Sequence, residues 1–208
     1  MQEPVEGQEV RISPEDQVLS RIDGILKIED VKRRKQETSN FINERLESLV
    51  KTSSSNRGKG FLDRSPIHKG FLHPDYRIRK NFIYDPFCVN DNEIYGSLLD
   101  VFMKYKHLPN WQNRDPKEIV PSAIITTIND YFGNPWGIRN IEAENAKFYA
   151  KHSGSLVVSS KELKGKRIAV CIERASTAQN LLAFLGYDVE LIDSFNCRLA
   201  SLEPDHRE

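Results

Sequence analysis

The sequence predicts an α+β protein that is mainly helical, and three observations carry that expectation. Apolar residues recur at helical spacing over 13–51 and again over 92–152. Near the end, an apolar run over 168–170 leads into a helix closed by Gly186, and 189–192 reads as a strand. A helical N-terminal arm followed by a mixed C-terminal lobe accommodates all three.

Ser13-Pro14-Glu15-Asp16 opens the first helix: a serine cap, proline in the first turn, and acids facing the positive end of the dipole. Val18, Leu19, Ile22, Ile25 and Leu26 follow on one stripe. A second, heavily charged helix is expected over 29–51, with Val31, Phe41, Ile42, Leu46, Leu49 and Val50 on a patchy stripe. Residues 1–51 therefore read as a helical hairpin or arm. The run TSSSNRGKG over 52–60 lacks apolar residues and has linker composition, which places the domain boundary there.

Residues 61–208 form the second unit. Its first part, 61–87, is dense in aromatics, prolines and basic groups without clean periodicity, and predicts irregular structure on a surface. Helices are expected over about 92–106, 121–132 and 138–152, the middle one stopped by Gly133. Residues 156–158 suggest a short strand. Ile168-Ala169-Val170 then leads into a helix over 171–185, Gly186 closes it, and 189–192 reads as a strand.

Bulk properties bound the function. The 208 residues are 38% hydrophobic and 29% charged, the composition of a folded protein with a wet surface. Thirty lysines and arginines balance thirty aspartates and glutamates, so no global field draws the chain to nucleic acid. The start carries three glutamates and no apolar run, and no stretch reaches the roughly 18 apolar residues of a spanning helix. Neither export by a signal peptide nor a membrane span is expected. Cys88, Cys171 and Cys197 are an odd, scattered set without CxxC, which implies free thiols in a reducing compartment and a cytoplasmic location.

Cys171 is the residue with the most chemical promise. A thiol in the first turn of a helix sits near the positive end of its dipole, which favours the thiolate that a nucleophile needs. The structural alternative is equally simple: a cysteine after Ile-Ala-Val behaves as a small hydrophobe in the core. Glu173 and Arg174, in the same turn, suit a positioning role better than substrate binding.

The pattern G-x-x-x-x-x-C-x-E-R-A over 165–175, the apolar helix after it, Leu185-Gly186-Tyr187 and the run 189–192 together resemble the nucleophile helix of the transglutaminase-like branch of papain-fold cysteine enzymes. The resemblance covers 164–194. It implies a papain-like or transglutaminase-like C-terminal lobe and thiol-dependent hydrolysis or acyl transfer at the amide bond of a protein or peptide, with no cofactor and no metal. It also implies a histidine base on a later strand, and His206 is the only histidine after Cys171. His206 lies two residues from the end, with Asp205 as its neighbour and no strand after it, a departure that implies an incomplete or degenerate relative.

Other candidates are weaker. Cys88 and Cys197 have no partner at metal-ligand spacing. His68 and His73, near Asp63 and Asp75, are interrupted by prolines and read as a surface loop; His107 and His152 suit helix ends. Lys69, Arg77, Arg79 and Lys80 interleave with Phe71, Tyr76, Phe82 and Tyr84, as in single-strand binders, but without a basic net charge a connector fits better. Lys32-Arg33-Arg34-Lys35 reads as the wet face of a charged helix. The rival to the enzyme is a non-catalytic helical adaptor, in which the hairpin and the aromatic connector engage a protein partner and Cys171 is only core.

Overall fold

Ser13 adopts extended backbone, and its Oγ accepts the Asp16 N–H at 3.3 Å while donating to the Asp16 carboxylate at 2.7 Å. With Pro14 next in line, this reciprocal cap fixes the start of α1, Pro14–Leu26. Asp30 then caps α2, Val31–Ser55, by accepting the Arg33 N–H at 2.6 Å. A computed structural model describes residues 12–55, 83–85, 92–134, 140–151, 157–169 and 171–189. The remaining elements are β1, Ile83–Asp85; α3, Glu93–His107; α4, Pro116–Phe132; α5, Ile141–Lys151; β2, Val157–Ser159; α6, Ser160–Leu163; and α7, Cys171–Phe184.

The α+β expectation is corrected: the described residues form a helical protein without a sheet layer. Their only extended pairing is a three-residue parallel contact of β1 with β2, Ile83 opposite Val157. The apolar run before α7 forms no strand at Ile168 and Ala169. Its carbonyls are taken by side chains instead: Ile168 O accepts from Asn145 Nδ2 at 2.8 Å, and Ala169 O from Arg174 Nε at 2.9 Å. Those two bonds occupy the acceptors a neighbouring strand would need. Of the strand expected over 189–192, only Val189 is described, outside any strand. Among the described residues a papain-like lobe has no sheet beyond that three-residue pair to rest on.

Boundaries moved for identifiable reasons. α4 begins at Pro116, five residues before the expected Pro121, because Asp115 caps it through the Lys117 N–H at 2.8 Å and Pro116 occupies the first turn. Glu118 completes the acid-in-first-turn pattern. Pro121 is therefore inside the helix. α2 runs to Ser55, four residues into the stretch read as a linker; residues 56–60 lie outside the described residues. α5 starts at Ile141, after Asn140 turns the chain with φ 59°, a region asparagine tolerates.

The core is built on the contact of α3 with α4, the most extensive among the described elements. Ile94, Leu98, Leu99 and Phe102 of α3 share one buried cluster with Ile119, Ala123, Ile124 and Ile128 of α4. α1 and α2 contribute Val18, Leu19, Ile22, Ile25, Phe41 and Ile42 to the same buried cluster. The predicted apolar stripe of the N-terminal helices is thus used internally. α7 packs on α4 and α2, and its Phe184, fully buried, sits 5.5 Å from the Phe41 ring edge-to-face and 4.7 Å from Tyr95. One phenyl ring therefore joins α2, α3 and α7.

The end of α7 is closed twice. Gly186 N–H reaches Ala183 O at 3.0 Å and Tyr187 N–H reaches Leu182 O at 3.1 Å, a Schellman closure with Gly186 at φ 96°. Arg45 of α2 then donates to Phe184 O at 2.9 Å and, as a second donor beside the Gly186 N–H, to Ala183 O at 3.2 Å. Gly186 also lies against the start of α1: a Cβ there would stand 2.9 Å from Pro14 O. Gly186→Ala therefore meets an unfavourable φ and a backbone collision together. We expect a loss of about 2 kcal/mol in urea unfolding; a change below a few tenths would contradict the contact.

The starts of α1 and α4 also meet. Asp16 and Lys117 are paired at 2.8 Å, with the Tyr187 phenol close to both charges. The Lys117 hydrogen bond, helped by Ser13, holds the Asp16 carboxyl below its usual range. The same bond raises Lys117, and burial raises Tyr187. The depressed carboxyl stabilises the fold above its unfolded pKa of 3.8, and that contribution disappears as pH falls through the folded value. The raised Lys117 and Tyr187 stabilise below their unfolded values of 10.5 and 10.0, and lose that effect as pH rises through the folded ones. Thermal midpoints should hold a plateau between about pH 5 and 9 and fall on both sides. Asp16→Asn should flatten the acid limb; an unchanged limb would assign it to other groups.

Candidate functional site

The first turn of α7 is where the sequence placed the chemistry, and its described side chains anchor the chain. Cys171 is the first residue of α7, but its side chain lies outside the described residues, as do His206, Cys88, Cys197, His68, His73 and His152. The basic, aromatic stretch 69–82 also lies outside them. Glu173 is 1% exposed and accepts from Asn145 Nδ2 of α5 at 3.1 Å. The same amide nitrogen donates to Ile168 O, and the buried Asn145 Oδ1 has no partner among the described residues. Thr177, one turn on, donates back to Glu173 O at 2.7 Å.

Arg174 closes the corner from the other side. Its guanidinium donates to Ala169 O at 2.9 Å, to Asn129 Oδ1 at 2.9 Å and to Gly133 O at 2.6 Å, and stands 5.9 Å from the Phe132 ring. Burial lowers its pKa and Glu173 raises it, but a guanidinium stays charged. The arginine thus binds the end of α4 and the lead-in to α7 to each other. The positioning role expected for Glu173 and Arg174 is the one their contacts describe.

His107 is the only histidine whose side chain is described, and it faces α1 rather than α7. It lines a cleft of about 320 Å³ with Asp23, Leu26, Lys27, Met103, Lys106 and Gln112. Asp23 there is held by Lys27 at 2.7 Å and Lys106 at 3.2 Å; burial pushes its carboxyl up, and the two lysines outweigh this and bring it down. Both lysines and His107 lie at the ends of α1 and α3, where cations answer the negative pole of the dipole. Among the described residues, no group of three or more His, Cys, Asp or Glu could hold a metal ion. None of their helices is long and apolar enough to cross a membrane.

The feature that sequence reasoning missed is the outer face of α4. From Ile119 to Asn129 the helix carries no charged residue, in a chain that is 29% charged. Half of that run is core, but Pro121 and Ile125 are exposed, Ile125 at 61%, with Ser122, Thr126 and Asn129 half-buried around them. These positions recur at three and four residues and form one stripe. The available signal was this gap in charge, overlooked because the same residues also supply the core-facing period.

Both flanks of the stripe are held in place. On one side the Tyr105 hydroxyl lies 2.6 Å from Thr126 Oγ1 and donates to Ser122 O at 3.3 Å. The Tyr105 ring stacks on Trp111 at 5.4 Å, and the Arg114 guanidinium covers Trp111 at 4.7 Å. Leu108, 44% exposed, opens the same connector. On the other side Asn129 is fixed by Arg174. The surface is uncharged, apolar at its centre and already ordered, so little side-chain freedom remains to be lost when something covers it.

No family model, no curated protein and no solved structure matches this chain.

Proposed function

We propose that the chain is a non-catalytic helical module that binds a protein partner, receiving an apolar helix on the outer face of α4, in a reducing compartment inside the cell. The observation that carries this reading is the charge-free stripe around Ile125, flanked by the ordered Tyr105–Trp111–Arg114 stack. Tyrosine, tryptophan and arginine are the residues that most often anchor protein interfaces, and depletion of charge marks their centres. The adaptor's surface moves accordingly. The hairpin of α1 and α2 buries its apolar stripe in the core, which leaves α4 as the exposed helix with an apolar centre.

The alternative, thiol chemistry by Cys171 with His206, draws no support from the described side chains. Glu173 and Arg174 are engaged with α5, the end of α4 and the α7 lead-in, and the described residues offer no sheet to carry a base. A buried polar corner of this kind holds three segments in register, which is the work of a scaffold.

The test uses the full chain and a synthetic amphipathic peptide helix of leucine and serine as a stand-in partner. Titration should shift the amide resonances of α4 and of the Trp111 connector, and Ile125→Glu should weaken binding at least about tenfold, or 1.4 kcal/mol. A scrambled peptide of the same composition should leave them unmoved. In parallel, a pool of fluorogenic peptide amides should show no release that depends on Cys171. Unshifted α4 resonances, or release abolished by Cys171→Ser, would overturn the reading.

A further inference from the structure

We infer that the cleft between the carboxyl ends of α1 and α3 binds a small organic phosphate, its apolar group against Leu26 and Met103 and its phosphate against Lys27, Lys106 and His107. The site is separate from the outer face of α4, and neither reading depends on the other.

The cleft holds more positive charge than its own carboxylate takes up. Among the described residues Asp23 is the single acid on its lining, and Lys27 and Lys106 both stand on it, at 2.7 and 3.2 Å. One ammonium charge is left over before His107 is counted. The Lys106 side chain is 22% exposed and that of Asp23 26%, so the excess sits where water is partly excluded and a charge acts more strongly than on the open surface. The poles of α1 and α3 answer part of it. Yet the last carbonyls of α1 already accept from the Lys27 and Ile28 N–H groups, and Tyr105 O of α3 accepts from Leu108 N–H. Nor does the neighbouring chain bring an excess of acid. It passes from Lys27 into the start of α2, where Glu29 and Asp30 are outnumbered by Lys32, Arg33, Arg34 and Lys35. Arg34 is tied back to Ile28 O at 2.9 Å, while Lys32, Arg33 and Lys35 are exposed, their side chains without a partner among the described residues. Cations thus predominate along the rim as well as within, and such a cleft draws anions in.

The donors select the class of anion. A planar carboxylate is gripped best by the fork of an arginine, and among the described residues no arginine lines the cleft. Lysine ammoniums and an imidazole are point donors that close on a tetrahedral group from different sides, which suits phosphate. Gln112 adds a carboxamide with two further donors. The space of about 320 Å³ lies at the small end of the roughly 300–1,000 Å³ of ligand sites and exceeds what a bare phosphate fills. Leu26 and Met103 give the remainder an apolar wall. Beneath it, among Leu19, Ile22, Phe102 and Pro116, the free space closes to about 10 Å³. The ligand is therefore a phosphate carried on one compact apolar group.

Phenyl phosphate, titrated into the full chain at low salt, should move the amide resonances of 23–28 and 103–112 saturably, with half-saturation below about 1 mM. Inorganic phosphate should bind at least about threefold more weakly for want of an apolar group, and benzyl alcohol should move none of them. Lys106→Met, which keeps the buried stem, should weaken phenyl phosphate at least about tenfold. Lys27→Gln, at a side chain 76% exposed, should weaken it about threefold with an unchanged thermal midpoint. Asp23→Asn should tighten it, because both ammoniums are then released to the ligand; a carboxylate that only closes the end of α1 gives no such gain. No saturable shift up to about 10 mM, an affinity indifferent to both lysine changes, phosphate alone binding as tightly as its ester, or no gain in Asp23→Asn would each overturn the inference. So would a short DNA duplex that displaces phenyl phosphate at lower concentration, which would assign these cations to a polyanion. If Lys106→Met does not fold, Lys27→Gln decides.

Discussion

A buried helix must have its ends closed by donors and acceptors from elsewhere, and in this protein that requirement falls on α7. Its carbonyl end is covered by the Arg45 guanidinium from α2 and by the turn at Gly186. Its amino end is held by Asn145 from α5 and by Arg174, which binds main-chain carbonyls at 133 and 169. Between these clamps, Phe184 places one ring among Phe41 and Tyr95. The last described helix therefore fixes the relative positions of helices that precede it by more than a hundred residues. Gly186 adds a steric condition, since only a bare Cα passes so close to Pro14.

Much of this was legible where local chemistry decides. The Ser13 cap and the Gly186 stop depend on residues within one turn of the boundary, and both stand where expected. The core stripes of α1 and α3 likewise follow from spacing alone. What the sequence did not disclose were the long-range partners. Nothing near Ile168 announces that an asparagine 23 residues earlier takes its carbonyl. Pro121 reads as a helix start because proline favours first turns, while the stronger signal, Asp115 followed by Pro116, lies just upstream.

The candidate site shows the same division. Cys171 draws attention because a thiol at a helix start has a known chemical meaning, while of its neighbours Glu173 is engaged with the Asn145 side chain and Arg174 with main-chain carbonyls. The outer face of α4 has no such signature. It becomes visible only when burial separates the two faces of one uncharged run, leaving Ile125 in solvent and Ile124 and Ile128 in the core. Absence of charge on an exposed, ordered face is a weak motif in sequence and a strong one in three dimensions.

The central claim is that the clamps on α7 join the N-terminal helices and the later ones into a single cooperative unit. Native-state hydrogen exchange with increasing denaturant tests this most directly. Interior amides of α1, α4 and α7 should converge on one opening free energy, equal to that of global unfolding, and Arg45→Ala should lower all three together. Exchange of α1 and α2 through a separate, lower-energy opening that leaves α7 protected would show an independent arm and contradict the account.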